Sequence, residues 1–180
     1  MTAFVALLRG INVGKGNRVP MADLRAMLTE LGYSEVATLL NSGNAVFSAK
    51  SAPSAACAKR IAAAINSRFG LDISVIVKSA MEFAAVVQGN AYANTAPDHS
   101  RLFAVFAQEA EALSALTAIA SLVVPPEEFS IGPHAAYLHC ASGILESKAG
   151  AALLGKVGRQ VTTRNWATTL KLQVLLQALA

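Results

Sequence analysis

The sequence predicts an α+β protein built of two halves, each following a β-α-β-β-α-β order. Three observations carry this. Apolar runs that read as strands alternate with helical patterns in the same succession before and after a polar loop from Asn90 to Ser100. Asn41-Ser42-Gly43-Asn44 supplies a hairpin turn in the first half, and Gly132-Pro133 the corresponding turn in the second. Strands such as Val5-Ala6-Leu7-Leu8 and Val75-Ile76-Val77 are apolar on both faces, whereas a lone split βαβ unit has helices on one face only. The second face then needs a cover, most simply the other half. Only the order of elements repeats, with no residue-level repeat.

In chain order, Ala3 to Leu8 is a central strand, and a glycine-punctuated basic loop follows it. Pro20 fits the first helical position, where its missing N–H costs nothing. Met21, Leu24, Met27, Leu28 and Leu31 form one apolar stripe, and Gly32 ends the helix as a left-handed cap. Glu35 to Leu40 and Ala45 to Ser48 make the hairpin around the turn. Pro53 to Phe69 is an Ala-rich helix stopped by Gly70, Asp72 to Lys78 a strand, and Ala80 to Val87 a short helix. The second half repeats the order with a strand at Arg101 to Ala107, a helix at Glu109 to Ala120, and strands at Glu128 to Ile131 and Ala135 to Cys140. Ser147 to Val157 is a helix, Gln160 to Thr162 a last brief strand, and Asn165 to Leu179 a final amphipathic helix. The expected fold is two ferredoxin-like subdomains packed together, residues 1–90 and 91–180, with the C-terminal helix in the second.

Hydrophobic residues make up 54% of the chain, ample for a core, so disorder is not expected. The formal net charge is only +4, but it is unevenly placed. Arg9, Lys15 and Arg18 share the opening loop without an acid between them, and after Glu146 the chain has Lys148, Lys156, Arg159, Arg164 and Lys171 and no acid at all. Such zones concentrate anions, although solubility alone also accounts for them. Cys57 and Cys140 show no paired spacing and read as small buried hydrophobes, so no disulfide framework is indicated. No signal peptide and no membrane-length apolar run is read, which makes the cytoplasm the default location.

The chemistry is concentrated in Leu7 to Met21, LLRGINVGKGNRVPM. It is not a Walker loop: Gly10 and Gly14 enclose three residues where four are needed, and Gly16 follows Lys15 where Ser or Thr is needed. The dinucleotide pattern fails too, since Val19 stands in the place of the third glycine. The ingredients of anion binding are nevertheless there. Gly10, Gly14 and Gly16 let backbone N–H groups converge, a helix N-terminus follows, Arg9, Lys15 and Arg18 add charge, and Asn12 and Asn17 orient a ligand or close turns. A tight β-α connection with solvated cations is the plainer alternative. A second candidate is Val161-Thr162-Thr163-Arg164-Asn165-Trp166. Thr162 or Thr163 capping the last helix would put Arg164 and Asn165 in its first turn, beside the chain's single Trp. The alternative there is a capped helix with Trp166 in the core.

These stretches, together with NSGN before Phe47, resemble the domain-of-unknown-function family 1697, a set of small bacterial proteins. The resemblance runs over nearly the whole chain. It implies the two-subdomain α+β fold and supplies no activity, cofactor or catalytic residue. Arg9, Gly10, Asn12, Gly14, Asn17, Pro20, Ser42, Gly43, Asn44, Thr163, Arg164, Asn165 and Trp166 match its motifs, whereas Lys15 and Ala167 fall where the family is looser.

The expected site is therefore a polar basic cleft between the subdomains. Arg9, Arg18 and Arg164 would hold an anion, and Gly10, Gly14 and Gly16 would present N–H groups. Asn12, Asn17, Ser42, Asn44 and Asn165 would orient the ligand, with Trp166 as a stacking wall. The ligand class is a small anion or nucleotide, with no cofactor and no metal, because His99, His134 and His139 lack metal spacing. No catalytic constellation is visible; Ser42 sits in a turn without a base before it. Two alternatives stand beside this reading. One is a nucleic-acid-binding module using phosphate contacts, disfavoured as a base-stacking sheet because the strand Asn44 to Ser48 offers one aromatic and no cation. The other is an interaction or assembly protein whose loops are structural. No membrane partner is expected, and the sequence fixes no oligomeric state.

Overall fold

A computed structural model of the chain describes residues 1–179. The chain divides into two units, one comprising Met1–Phe83 with the chain from Leu172, the other Ala84–Lys171. The first unit runs β1 (Thr2–Leu8), α1 (Met21–Glu30), β2 (Ser34–Leu39), β3 (Asn44–Ala49), α2 (Ser54–Phe69) and β4 (Val75–Ser79), after which α3 (Ala80–Gln88) begins. Its sheet has the order β2-β3-β1-β4 and is antiparallel throughout. The second unit contains β5 (Leu102–Ala107), α4 (Ala110–Ser114), a 3-10 helix (Ala115–Leu122), β6 (Glu128–Ile131), β7 (Ala136–His139), α5 (Lys148–Leu154) and β8 (Val161–Asn165), and α6 (Trp166–Ala178) starts in it. Its order, β6-β7-β5-β8, repeats that of the first sheet. In both, the third strand inserts between the first two, which is the split βαβ arrangement read from the element order.

Alternation along the strands sorts the core. Phe4, Ala6 and Leu8 of β1 share one cluster with Ala45 and Phe47 of β3, Val75 and Val77 of β4, and the apolar stripes of the helices, Leu24, Met27 and Leu28 on α1 and Cys57, Ala58, Ile61 and Ile65 on α2. The residues between them, Val5, Leu7, Val46 and Ile76, are equally buried. The same holds in the second unit, where Val105, Ala107, Ala136, Leu138 and Val161 pack with Leu113, Leu116, Ile119 and Leu153 while Leu102, Ala104, Phe106 and Tyr137 are buried on the alternate face.

Three local expectations are corrected. Pro20 is the residue before α1, in an extended conformation (φ −61°, ψ 135°), so the helix begins one residue later. The helix expected over Glu109 to Ala120 is a five-residue α-helix continued as a 3-10 helix. The third correction bears on the site: Thr163, Arg164 and Asn165 belong to β8, paired with Val105, Ala104 and Phe103 of β5, and neither Arg164 nor Asn165 lies in the first turn of α6. The β-branched pair Thr162-Thr163 extends the strand rather than capping the helix.

Candidate functional site

The opening loop is held by its own polar residues. Asn12 and Asn17 have positive φ (54° and 49°), a conformation that Asn tolerates better than most residues. Asn12 closes the loop across seven residues: its Nδ2 donates to the Val19 carbonyl at 2.9 Å, and its Oδ1 accepts from the Val19 N–H at 2.9 Å. The same Nδ2 donates to the Asn41 carbonyl at 2.8 Å, tying the loop to the hairpin turn. Asn17 Nδ2 donates to the Gly10 carbonyl at 3.1 Å. Asn44 is fully buried at the start of β3, where its Nδ2 donates to Leu39 O at 2.9 Å and to Ser42 Oγ at 3.0 Å. Asn12, Asn17 and Asn44 thus use their amides to shape the loop and the turn.

Gly43 explains why the turn fits beneath the loop. Its φ is +86°, and a Cβ there would lie 2.7 Å from Leu8 Cβ and 2.9 Å from Ile11 Cδ1. Its carbonyl accepts from the Leu8 N–H at 2.8 Å, so strand end and turn are in direct backbone contact. Gly10 and Gly14 also have positive φ (64° and 60°), whereas Gly16 does not.

What the scaffold leaves outward is a small basic surface. Val13 to Arg18 are exposed, and the N–H groups of Gly14, Lys15 and Gly16 have no backbone acceptor among the described residues. Arg18 Nη2 donates to the Gly14 carbonyl at 3.0 Å, which brings the guanidinium back over the loop. Arg9 is half-buried just beyond β1; burial holds its guanidinium below the usual arginine range, and its backbone N–H donates to the Ser74 carbonyl at 3.0 Å. A pocket of about 280 Å³ opens where loop, turn and helix meet, lined by Asn12, Arg18, Val19, Pro20, Met21 and Asn41. The first turn of α1 faces solvent without a capping side chain, because Pro20 supplies none. The sequence marks the start of α1 as part of the site but does not single out Asn41. The NSGN turn was the available signal for Asn41, but it pointed to Ser42 and Asn44.

The TTRNW stretch has a different character. Arg164 is only 8% exposed in β8, and its Nη1 donates to Thr162 Oγ1 at 2.9 Å and to Thr163 O at 2.7 Å. Burial pushes its guanidinium down to about 10, still charged at neutral pH. Asn165 caps α6, its Oδ1 accepting from the Thr168 N–H at 2.8 Å. Trp166 is buried, edge-on to Tyr137 with ring centroids 6.5 Å apart, and its backbone N–H donates to the His99 carbonyl at 3.1 Å. Among the described residues no three His, Cys, Asp or Glu side chains cluster as metal ligands. No helix among the described residues is long and apolar enough to cross a membrane.

Residues 1–137 match a family described as protein of unknown function (DUF1697). A solved structure described as that of conserved bacterial protein SP0830 from Streptococcus pneumoniae is similar over 97% of this chain and 98% of its own, with 27% identity and a TM-score of 0.81. No curated protein matches closely enough to lend an activity.

Proposed function

The chain belongs to the DUF1697 family of proteins of unknown function, and we propose that it binds a small anionic, phosphate-bearing ligand at the mouth of the opening loop. The observation that carries this reading is the pocket in front of α1, where Arg18 stands beside an uncapped helix N-terminus and a loop with free backbone N–H groups. Three attractions add there, against the Asp23 carboxylate in the first turn of α1. The helix end carries partial positive charge, glycine-rich backbone offers N–H donors, and a guanidinium forms charge-assisted bonds with phosphate. Asn12 and Asn41, joined by a hydrogen bond, act as the frame of the pocket they line. A nucleotide reaches the same groups through its phosphates.

The test is a thermal-shift screen of inorganic phosphate, nucleotides and sugar phosphates against the natural protein and an Arg18→Ala variant. Arg18 is exposed, so the variant folds. A ligand at a hundred times its dissociation constant stabilises by about 2.7 kcal/mol, an easily read shift. The expected result is stabilisation by at least one phosphate compound, largely lost in the variant. Equal responses of the two proteins, or no response to any compound, would overturn the reading.

A further inference from the structure

The first unit has a second pocket, at the other end of its sheet. β1 is seven residues long, so its two ends are about 20 Å apart. The opening loop leaves from Leu8, whereas the second pocket sits where Thr2 pairs with Ala49 and the chain turns from β3 into α2. It encloses about 350 Å³, within the range of small-molecule sites. Ala49, Ala56, Cys57 and the ring of Tyr33 make an apolar wall, and the charged side chains among the lining residues are the cations Lys50 and Arg60. We propose that this pocket binds a small organic anion, a single carboxylate or phosphate carried on a compact apolar body.

The geometry suits that ligand and few others. Arg60 lies one turn after Ala56 on α2, so both face the cavity. Its guanidinium carbon stands 5.6 Å from the centroid of the Tyr33 ring, a cation–π contact that holds the planar fork in place for a bidentate oxyanion. Tyr33 is itself fixed, stacked on Phe47 with centroids 4.4 Å apart. Burial and the adjacent Cys57 thiol push its phenol up to about 12 against the pull of Arg60, so it remains a hydrogen-bond donor at neutral pH. With no acid in the lining, a cationic ligand meets only repulsion. An inorganic ion leaves the apolar wall unfilled, and a neutral hydrocarbon leaves the two cations without a partner.

The experiment uses the whole protein with phenylacetate, phenyl phosphate, benzyl alcohol and inorganic phosphate as probes, read by amide chemical shifts and thermal shift. Phenylacetate, phenyl phosphate or both should move the amide signals of residues 50–60 and raise the melting temperature of the Arg18→Ala variant, while benzyl alcohol and inorganic phosphate leave those signals unmoved. Which acid binds tells carboxylate from phosphate. A Lys50→Ala, Arg60→Gln double variant, at two exposed positions, should keep its unliganded melting temperature within a few degrees and lose at least tenfold in affinity. Arg18→Ala should leave this binding unchanged, which separates the pocket from the loop site. Binding by neither acid, shifts confined to residues 9–20, or unaltered affinity in the double variant would overturn the proposal.

Discussion

At the residue scale, the polar motif residues divide into those that build the scaffold and those left facing outward. Asn12, Asn17 and Asn44 spend their side chains on backbone groups 5 to 29 positions away, which no local pattern announces. Two glycines that look alike in sequence differ for the same reason. Gly14 and Gly43 both have positive φ, but a Cβ at Gly14 meets nothing within 4 Å while one at Gly43 runs into Leu8 and Ile11. Gly14→Ala should therefore cost about 1 kcal/mol, the strain of a left-handed alanine. Gly43→Ala should cost about 3 kcal/mol or more, since the contact with β1 must also give way. Urea denaturation of the two variants measures the difference, and equal midpoints would show that the turn does not rest on β1 as described.

At the element scale, α3 shows how a helix start carries a pH dependence. Ser79-x-x-Glu82 is a capping box: Glu82 Oε2 accepts from the Ser79 N–H at 2.6 Å, and the Glu82 N–H donates to Ser79 Oγ at 3.3 Å. The same oxygen accepts from Ser54 Oγ at 2.5 Å, which joins the start of α3 to the first residue of α2. Burial alone would raise the Glu82 carboxyl, but the Ser54 and Ser79 hydrogen bonds, with Lys78 nearby, hold it below its ordinary 4.5. A carboxyl lowered in the folded state contributes stability that is present above the unfolded value and lost as pH falls through the folded one. Ser79→Ala should thus cost about 1 kcal/mol at neutral pH. Glu82→Gln should also destabilise at neutral pH, with the gap to the natural protein closing below about pH 4.5. Melting temperatures from pH 7 to pH 3 test this; a gap that stays constant would mean the charge of Glu82 is not what the box uses.

At the scale of the whole molecule, the repeated strand order gives two sheets whose inner strands, β1 and β3 in one and β5 and β7 in the other, are buried on both sides, and this decides between classes of ligand. The aromatics of β1 and β3, Phe4 and Phe47, are stacked in the core of the first unit with centroids 5.6 Å apart, so that sheet offers no surface on which bases could stack. A net charge of +4 then leaves only phosphate attraction, which salt screens. A single-stranded oligothymidine should bind weakly at low salt and undetectably at about 0.15 M ionic strength. Fluorescence anisotropy decides it: tight binding that survives salt would turn the reading from a small anion to nucleic acid.

The sequence by itself determined the order of strands and helices, the two turns, the glycine ends of α1 and α2 and the family, because each rests on local chemistry: apolar period, Gly and Asn in turns, Pro before helices. It also marked the opening loop as the place where glycines and cations gather. Only the tertiary structure decided what those residues do. Its neighbours place Arg164 at a helix start, yet it is a buried strand residue, because the β8 register with β5 is set by pairing across more than fifty residues. Asn12 became a staple because Val19 and Asn41 converge on it. The pocket lined by Tyr33, Lys50 and Arg60 had no sequence signal at all, since its walls come from a strand end, a turn and a helix face that only folding brings together.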